Sequence, residues 1–235
     1  METLPKYPRT KHLPFEANAS RDDLIASEKE CEILFKSDNI VWESKNDGAN
    51  VGIRWENENP IIRNRNHILN KGYLKDTPAK KQFRPLWNWA YDNYKNFKKL
   101  EETLGFTPSV YGEWLYATHG IEYDVLPSYF IAYDIYDAEK GYFIASNKTR
   151  EVLLNCGFHI PVLIHQGKIK SYKDLVDFRD RKSEYSTKDM IEGVYVKVYD
   201  EEKVINRFKI VRNDFICGEH WTKDCLKKNK LKSKD

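Results

Sequence analysis

No apolar run in this 235-residue chain is long enough to span a bilayer, and the opening Met1-Glu2-Thr3-Leu4-Pro5-Lys6-Tyr7 has no signal-peptide core. Those absences lead us to expect a soluble, cytoplasmic chain with no membrane partner. Cysteine is scarce: Cys31, Cys156, Cys217 and Cys225 are scattered, as reduced thiols are. Cys217, His220 and Cys225 lie close together but offer three zinc ligands at an unusual spacing, which argues against a metal site there. A dominant charge is also missing, since a net +3 is nearly balanced and by itself says little about partners. There is no internal repeat and no linker. What is present is globular: 40% apolar residues, rich in tyrosine and tryptophan, in a length that can bury a proper core.

In chain order, three prolines (Pro5, Pro8, Pro14) mark an extended lead-in. Ser20 with Asp22 and Asp23 reads as the cap of a helix running to about Phe35. Ile40 and Val41 begin a strand, and Val51 to Trp55 reads as another. Arg63 and Arg65, two apart on an extended stretch, share a face and suit a positive wall or a charge-blunted edge. Apolar residues at helical spacing from Thr77 to Leu104 predict a helix with a core stripe, stopped by Gly105. Strands follow at 110–116 and 129–136, a short helix near 148–155, and an extended 160–163. Ser171 with Asp174 at N3 caps a helix to about Arg181. Strands at 192–198 and 204–212 come last, with Arg207 and Lys209 facing one way. Lys223, Lys227, Lys228, Lys230, Lys232 and Lys234 form a basic tail, read as a solvated or frayed terminus able to add phosphate contacts. The pattern is α+β: mixed, largely antiparallel sheets with flanking helices. We expect one unit over 1–222 and the tail over 223–235.

The chemistry centres on Trp42-Glu43-Ser44-Lys45-Asn46-Asp47-Gly48-Ala49-Asn50. If extended, this stretch puts Glu43, Lys45 and Asp47 on one face. A free lysine has a pKa near 10.4, so roughly one in a few thousand is neutral at pH 7. Burial or a second cation raises that fraction, and the flanking carboxylates lower it. A nucleophilic Lys45 therefore needs its carboxylates occupied by substrate, metal or cations. The competing reading is a surface hairpin with a solvated lysine.

Glu43-x-Lys45-x-Asp47-Gly48 resembles the nucleotidyl-lysine motif of the covalent nucleotidyltransferases, the polynucleotide ligases and mRNA capping enzymes. Four further pieces follow in the family's order: Gly112-Glu113, Tyr133-Asp134, Glu192-Gly193 with Lys197, and Arg207 with Lys209. The set is most similar to the RNA ligase 2 type over roughly residues 6 to 215. The resemblance implies a nucleotidyltransferase (ATP-grasp-like) fold and an ATP-dependent RNA ligase using Mg²⁺ or Mn²⁺. It implies Lys45 as the nucleophile that becomes lysyl-AMP, and Arg207 and Lys209 as the pair at the α-phosphate. Arginine at 207 departs from the lysine many relatives carry, but keeps the charge. The resemblance also implies Glu43 at the adenine, with Asp47, Gly48 and Lys197 among the nucleotide-binding residues. Glu113 matches the ribose acid, assisted by Arg63 or Arg65, and Tyr133 the aromatic that stacks on the base. Glu192 matches the metal-linked acid, and Asn50 and Asp134 fall on the nucleic-acid side. The implied partner is RNA bearing 5′-phosphate and 3′-hydroxyl ends, met by a monomer, with a nicked duplex or RNA/DNA hybrid, a tRNA break and a single strand as the alternative forms. Few residues follow the last motif, so we expect no OB or helical C-terminal domain. A DNA ligase, a capping-type guanylyltransferase and a non-catalytic nucleic-acid-binding relative remain the alternatives.

Overall fold

The computed structural model describes residues 2–14, 23–70, 78–215 and 226–233. Two five-stranded sheets carry the chain. The first runs β1 (Lys11–His12), β10 (Val204–Val211), β9 (Gly193–Tyr199), β2 (Ile40–Lys45) and β8 (Leu163–Gln166). The second runs β4 (Asn59–Asn64), β3 (Ala49–Glu56), β5 (Ser109–Trp114), β6 (Phe130–Asp137) and β7 (Tyr142–Phe143). Every pairing is antiparallel except β1 with β10. The crossing from one sheet to the other is Asn46-Asp47-Gly48, between β2 and β3. Gly48 is obligatory there, because a Cβ would stand 2.6 Å from Leu115 Cδ2 and 2.7 Å from the Trp114 carbonyl oxygen.

Each sheet buries one face against helices. Ile40, Trp42, Val194, Val196, Val198, Phe208 and Ile210 pack under α1 (Glu28–Cys31), α2 (Ile33–Lys36) and α7 (Tyr172–Arg179). Val51, Ile53, Val110, Trp114, Phe130 and Ile135 pack under α4 (Arg84–Asp92), α5 (Tyr94–Leu104) and α6 (Ser146–Asn155). Burying side chains such as Leu86, Phe97 and Leu100 in that stripe contributes about 1.5–3 kcal/mol each. The opposite faces turn toward each other, with Leu4, Tyr7, Tyr111 and Tyr136 between them.

Several local expectations are redrawn. The single helix expected over 77–104 is three: α3 (Pro78–Lys81), α4 with a proline in its first turn, and α5, jointed at Asn93. The Ser20 cap lies outside the described residues. The helix after it starts at Glu28, where Ser27 and Glu30 form a capping box. Leu24 and Ala26 instead exchange backbone hydrogen bonds with His12, which draws 23–26 into extended pairing. The capping box at Ser171 and Asp174 is present. The possible zinc ligands Cys217, His220 and Cys225 lie outside the described residues, as do Lys223 and Lys234. Residues 226–233 do not fray; they bridge to Ala117 and Leu126. Among the described residues no helix is long and apolar enough to cross a membrane.

Candidate active site

Lys45 is the last residue of β2 and pairs in register with Gly193 at the start of β9. Gly193 lets β9 and β10 close up, since a Cβ would fall 2.1 Å from the Ile210 carbonyl oxygen. Glu192 sits in the bend just before β9, and that bend turns its carboxylate onto the Lys45 amine at 2.5 Å. From the other sheet comes Glu113, opposite Asn50 in the β3–β5 pairing. Asp47, in the crossing, is nearly buried; its Oδ2 accepts from the Gly120 and Ile121 amides. Lys45 thus faces three acids, all brought in by the junction of the two sheets.

The electrostatics follow from that crowding. Burial works to strip Lys45 of its proton, but Glu192, Glu113 and Asp47 outweigh it and hold the amine well above the ordinary lysine range. Burial, reinforced by Glu192 and Asp47 and opposed by Lys45, pushes the Glu113 carboxyl up to about 8. Burial likewise raises Glu192. The resting site is an ammonium held by neighbouring acids, and added cations that neutralise those acids would ease its deprotonation. Among the described residues no cluster of three or more His, Cys, Asp or Glu side chains forms a metal cage. One or two carboxylates, Glu192 foremost, fit a divalent ion that takes its other ligands from phosphates and water.

Lys45 lies between two connected spaces. A cleft of about 600 Å³ runs past Asn50, Arg65, His119, Glu192 and Lys209. A smaller pocket beyond Lys45 is bordered by Glu43, Glu113, Pro161, Tyr133 and Tyr195. The Tyr133 and Tyr195 rings are near parallel, 20° apart with centroids at 6.4 Å. Tyr133 is fixed from two sides: the Asn50 amide donates to its hydroxyl, and the Lys197 ammonium lies 5.5 Å from its ring centre. Lys209 reaches the cleft from β10 and is held at 2.9 Å by Asp23, which also has His12 Nε2 at 3.6 Å. Burial, with Lys209 and Lys45 nearby, lowers His12 to about 4.

Of the expected site residues, Lys45, Glu43, Asp47, Gly48, Asn50, Arg65, Glu113, Tyr133, Glu192 and Lys209 all border the cleft or the pocket. Four do not. Arg63 turns away and donates to the Leu4 carbonyl, so Arg65 is the arginine at the cleft. Lys197, Asp134 and Arg207 form a buried ion network between the sheets and border neither space. Lys197 Nζ binds Glu43 at 2.9 Å, Asp134 at 3.0 Å and the Tyr133 carbonyl at 2.6 Å. Arg207 binds Asp134 at 3.1 Å and lies over the Phe143 ring at 4.4 Å. Tyr7 donates to Asp134 at 2.5 Å, and Arg150 closes the chain on Glu43. Burial disfavours both charged forms, yet Lys197 and Arg207 depress the Asp134 pKa, and Asp134 and Glu43 raise that of Lys197.

Sequence reasoning missed Tyr195, Arg150 and His119. For Tyr195 a signal existed, because strand alternation places it on the face of Lys197. Arg150 carried none: its partner is 107 residues away and on another element.

Two comparisons bear on this arrangement, and among curated proteins none matches the sequence. In solved structures, Naegleria gruberi RNA ligase with PPi aligns at a TM-score of 0.57 and 17% identity, covering 91% of this chain and 60% of that one. A variant of the same ligase with ATP and Mn aligns at 0.56 and 14%, covering 89% and 61%. At such identity the likeness speaks to the fold, and this chain spans about 60% of those relatives' length. The family model for RNA ligase matches residues 38–211, from ahead of β2 to the end of β10, and so takes in Lys45, Glu113, Glu192 and Lys209. The chain belongs to the RNA ligase family.

Proposed function

We propose that this chain carries out ATP-dependent RNA ligation through a covalent AMP on Lys45. The observation that carries it is the placement of a half-buried amine among three acids, at the mouth of a pocket lined by two near-parallel tyrosine rings. Adenine occupies the small pocket beside the Tyr133 ring, with Glu43 on its border, Glu113 near the ribose and Lys209 toward the α-phosphate. A divalent cation, when bound, supplies positive charge to the phosphates and carboxylates. Lys45 Nζ, having lost its proton, bonds to the α-phosphorus as the bond to pyrophosphate breaks. A 5′-phosphate oxygen of the RNA then attacks that phosphorus and releases the amine. The strand closes when a 3′-hydroxyl attacks the 5′-phosphate and expels AMP. Positioning and charge stabilisation account for most of such catalysis, and both come here from the sheet junction. RNA lies along the large cleft past Asn50 and Arg65, with a nicked duplex or hybrid as the expected form.

The test is adduct formation with α-labelled ATP beside α-labelled GTP, with Mg²⁺ or Mn²⁺, on wild type and Lys45→Ala. Wild type takes up AMP in preference to GMP, and Lys45→Ala takes up none while keeping its circular dichroism. An adduct persisting in Lys45→Ala overturns the assignment. Nicked duplexes with RNA or DNA at the 3′-hydroxyl end then separate RNA from DNA sealing.

A further inference from the structure

The stretch 226–233 lies along residues 115–126 as a strap. Backbone hydrogen bonds run from Thr118 to Lys227, Asn229 to Tyr116, Lys230 to Tyr123, Leu126 to Lys230 and Lys232 to Leu126. The irregular 115–126 segment thereby satisfies much of its main chain on the strap, which is what a buried loop requires. Asn229, 1% exposed, is the centre of the contact. Its Nδ2 donates to the carbonyls of Leu115 at 2.9 Å and Ala117 at 3.1 Å. Its Oδ1 accepts from the Tyr123 amide at 3.0 Å and the Thr118 hydroxyl at 2.8 Å.

The other side of the same loop grips Asp47. Gly120 and Ile121 donate to its carboxylate, and the Tyr123 hydroxyl accepts from its amide at 2.8 Å. Tyr123 is therefore held at its backbone by Asn229 and holds the crossing with its hydroxyl. Asp47 is two residues from Lys45 and is one of the three acids acting on its amine. Two amides on a single Asp47 oxygen draw its charge toward the loop and set its distance from Lys45.

We propose that Asn229 is a positioning residue for the chemistry of Lys45, acting through Tyr123, the 118–121 turn and Asp47. The strap is then a working part of the adenylation site and not only a surface tail. This rests on Lys45 being the nucleophile.

The experiment is a double-mutant cycle in the full chain, reading single-turnover adenylation of Lys45 for wild type, Asn229→Ala, Asp47→Ala and the pair. Asn229→Ala slows the step at saturating ATP by about 10-fold or more, with KM for ATP changed less than about 3-fold. In the Asp47→Ala background the same substitution costs little, because the group it acts through is gone. A wild-type rate for Asn229→Ala overturns the proposal, and so do losses that multiply in the double variant. Should Asn229→Ala not fold, Thr118→Val, which removes one bond to Oδ1, enters the same cycle with the same criteria. Wild type that takes up no AMP refutes the nucleophile reading itself, a result distinct from either of these.

Discussion

Replacing Lys197 by methionine tests whether the ion network between the sheets stabilises the fold or serves the nucleotide. Lys197 and Glu43 are 1% exposed and Asp134 is 0% exposed, so solvent cannot take over a lost partner. Breaking a buried pair by removing one member costs about 3–5 kcal/mol. Here the cost falls at the lower end, about 3 kcal/mol, because each carboxylate keeps an arginine: Glu43 keeps Arg150 and Asp134 keeps Arg207. Asp134→Asn should cost more. It leaves Lys197, Arg207 and Arg150 against Glu43 alone, and takes a charged acceptor from Tyr7. At roughly 2–4 °C per kcal/mol for a chain of this size, Lys197→Met lowers Tm by about 10 °C without nucleotide. Urea titrations of the three proteins, at unchanged m-value, give the free energies directly. A neutral or stabilising Lys197→Met would refute the reasoning, since desolvation would then outweigh pairing. An order with Lys197→Met costlier than Asp134→Asn would refute it too.

Three further outcomes follow from the site. Glu113 holds its proton to about 8 in the folded chain against 4.5 unfolded, so its contribution to stability is present below 4.5 and is lost as pH rises to 8. Glu113→Gln therefore stabilises the fold relative to wild type at pH 8–9, by at most about 5 kcal/mol, and leaves stability unchanged near pH 4; melting curves at both ends check the sign. Gly193→Ala forces a Cβ onto the backbone of Ile210 and Val211, prying β9 from β10 beside Glu192. It should cost about 3 kcal/mol in urea melts and slow adenylation in the protein that stays folded. Tyr195→Ala removes one wall of the small pocket and raises KM for ATP about 10-fold, the order of one lost base stack, with the Lys45 adduct still forming. An unchanged KM would place the base elsewhere.

The sequence by itself determined the order of the parts. Lys45 with Asp47 and Gly48, then Glu113, Tyr133, Glu192 and Lys209, were legible because they resemble a family's motifs in that family's order. Alternation also gave the shared face of Arg207 and Lys209. Which side of a sheet opens to the cleft and which seals against its partner is not a local property, and only the tertiary structure decided it. Arg207 and Lys209 sit two apart on one strand, yet one is paired with Asp134 between the sheets and the other faces Asp23 at the cleft. Arg63 and Arg65 diverge because β4 ends at Asn64, so that Arg65 leaves the sheet for the rim. The strap shows the same limit: its lysines read as a solvated tail, while Asn229 among them is buried by partners more than a hundred residues away. Periodicity encodes a face; only packing between distant segments determines what that face meets.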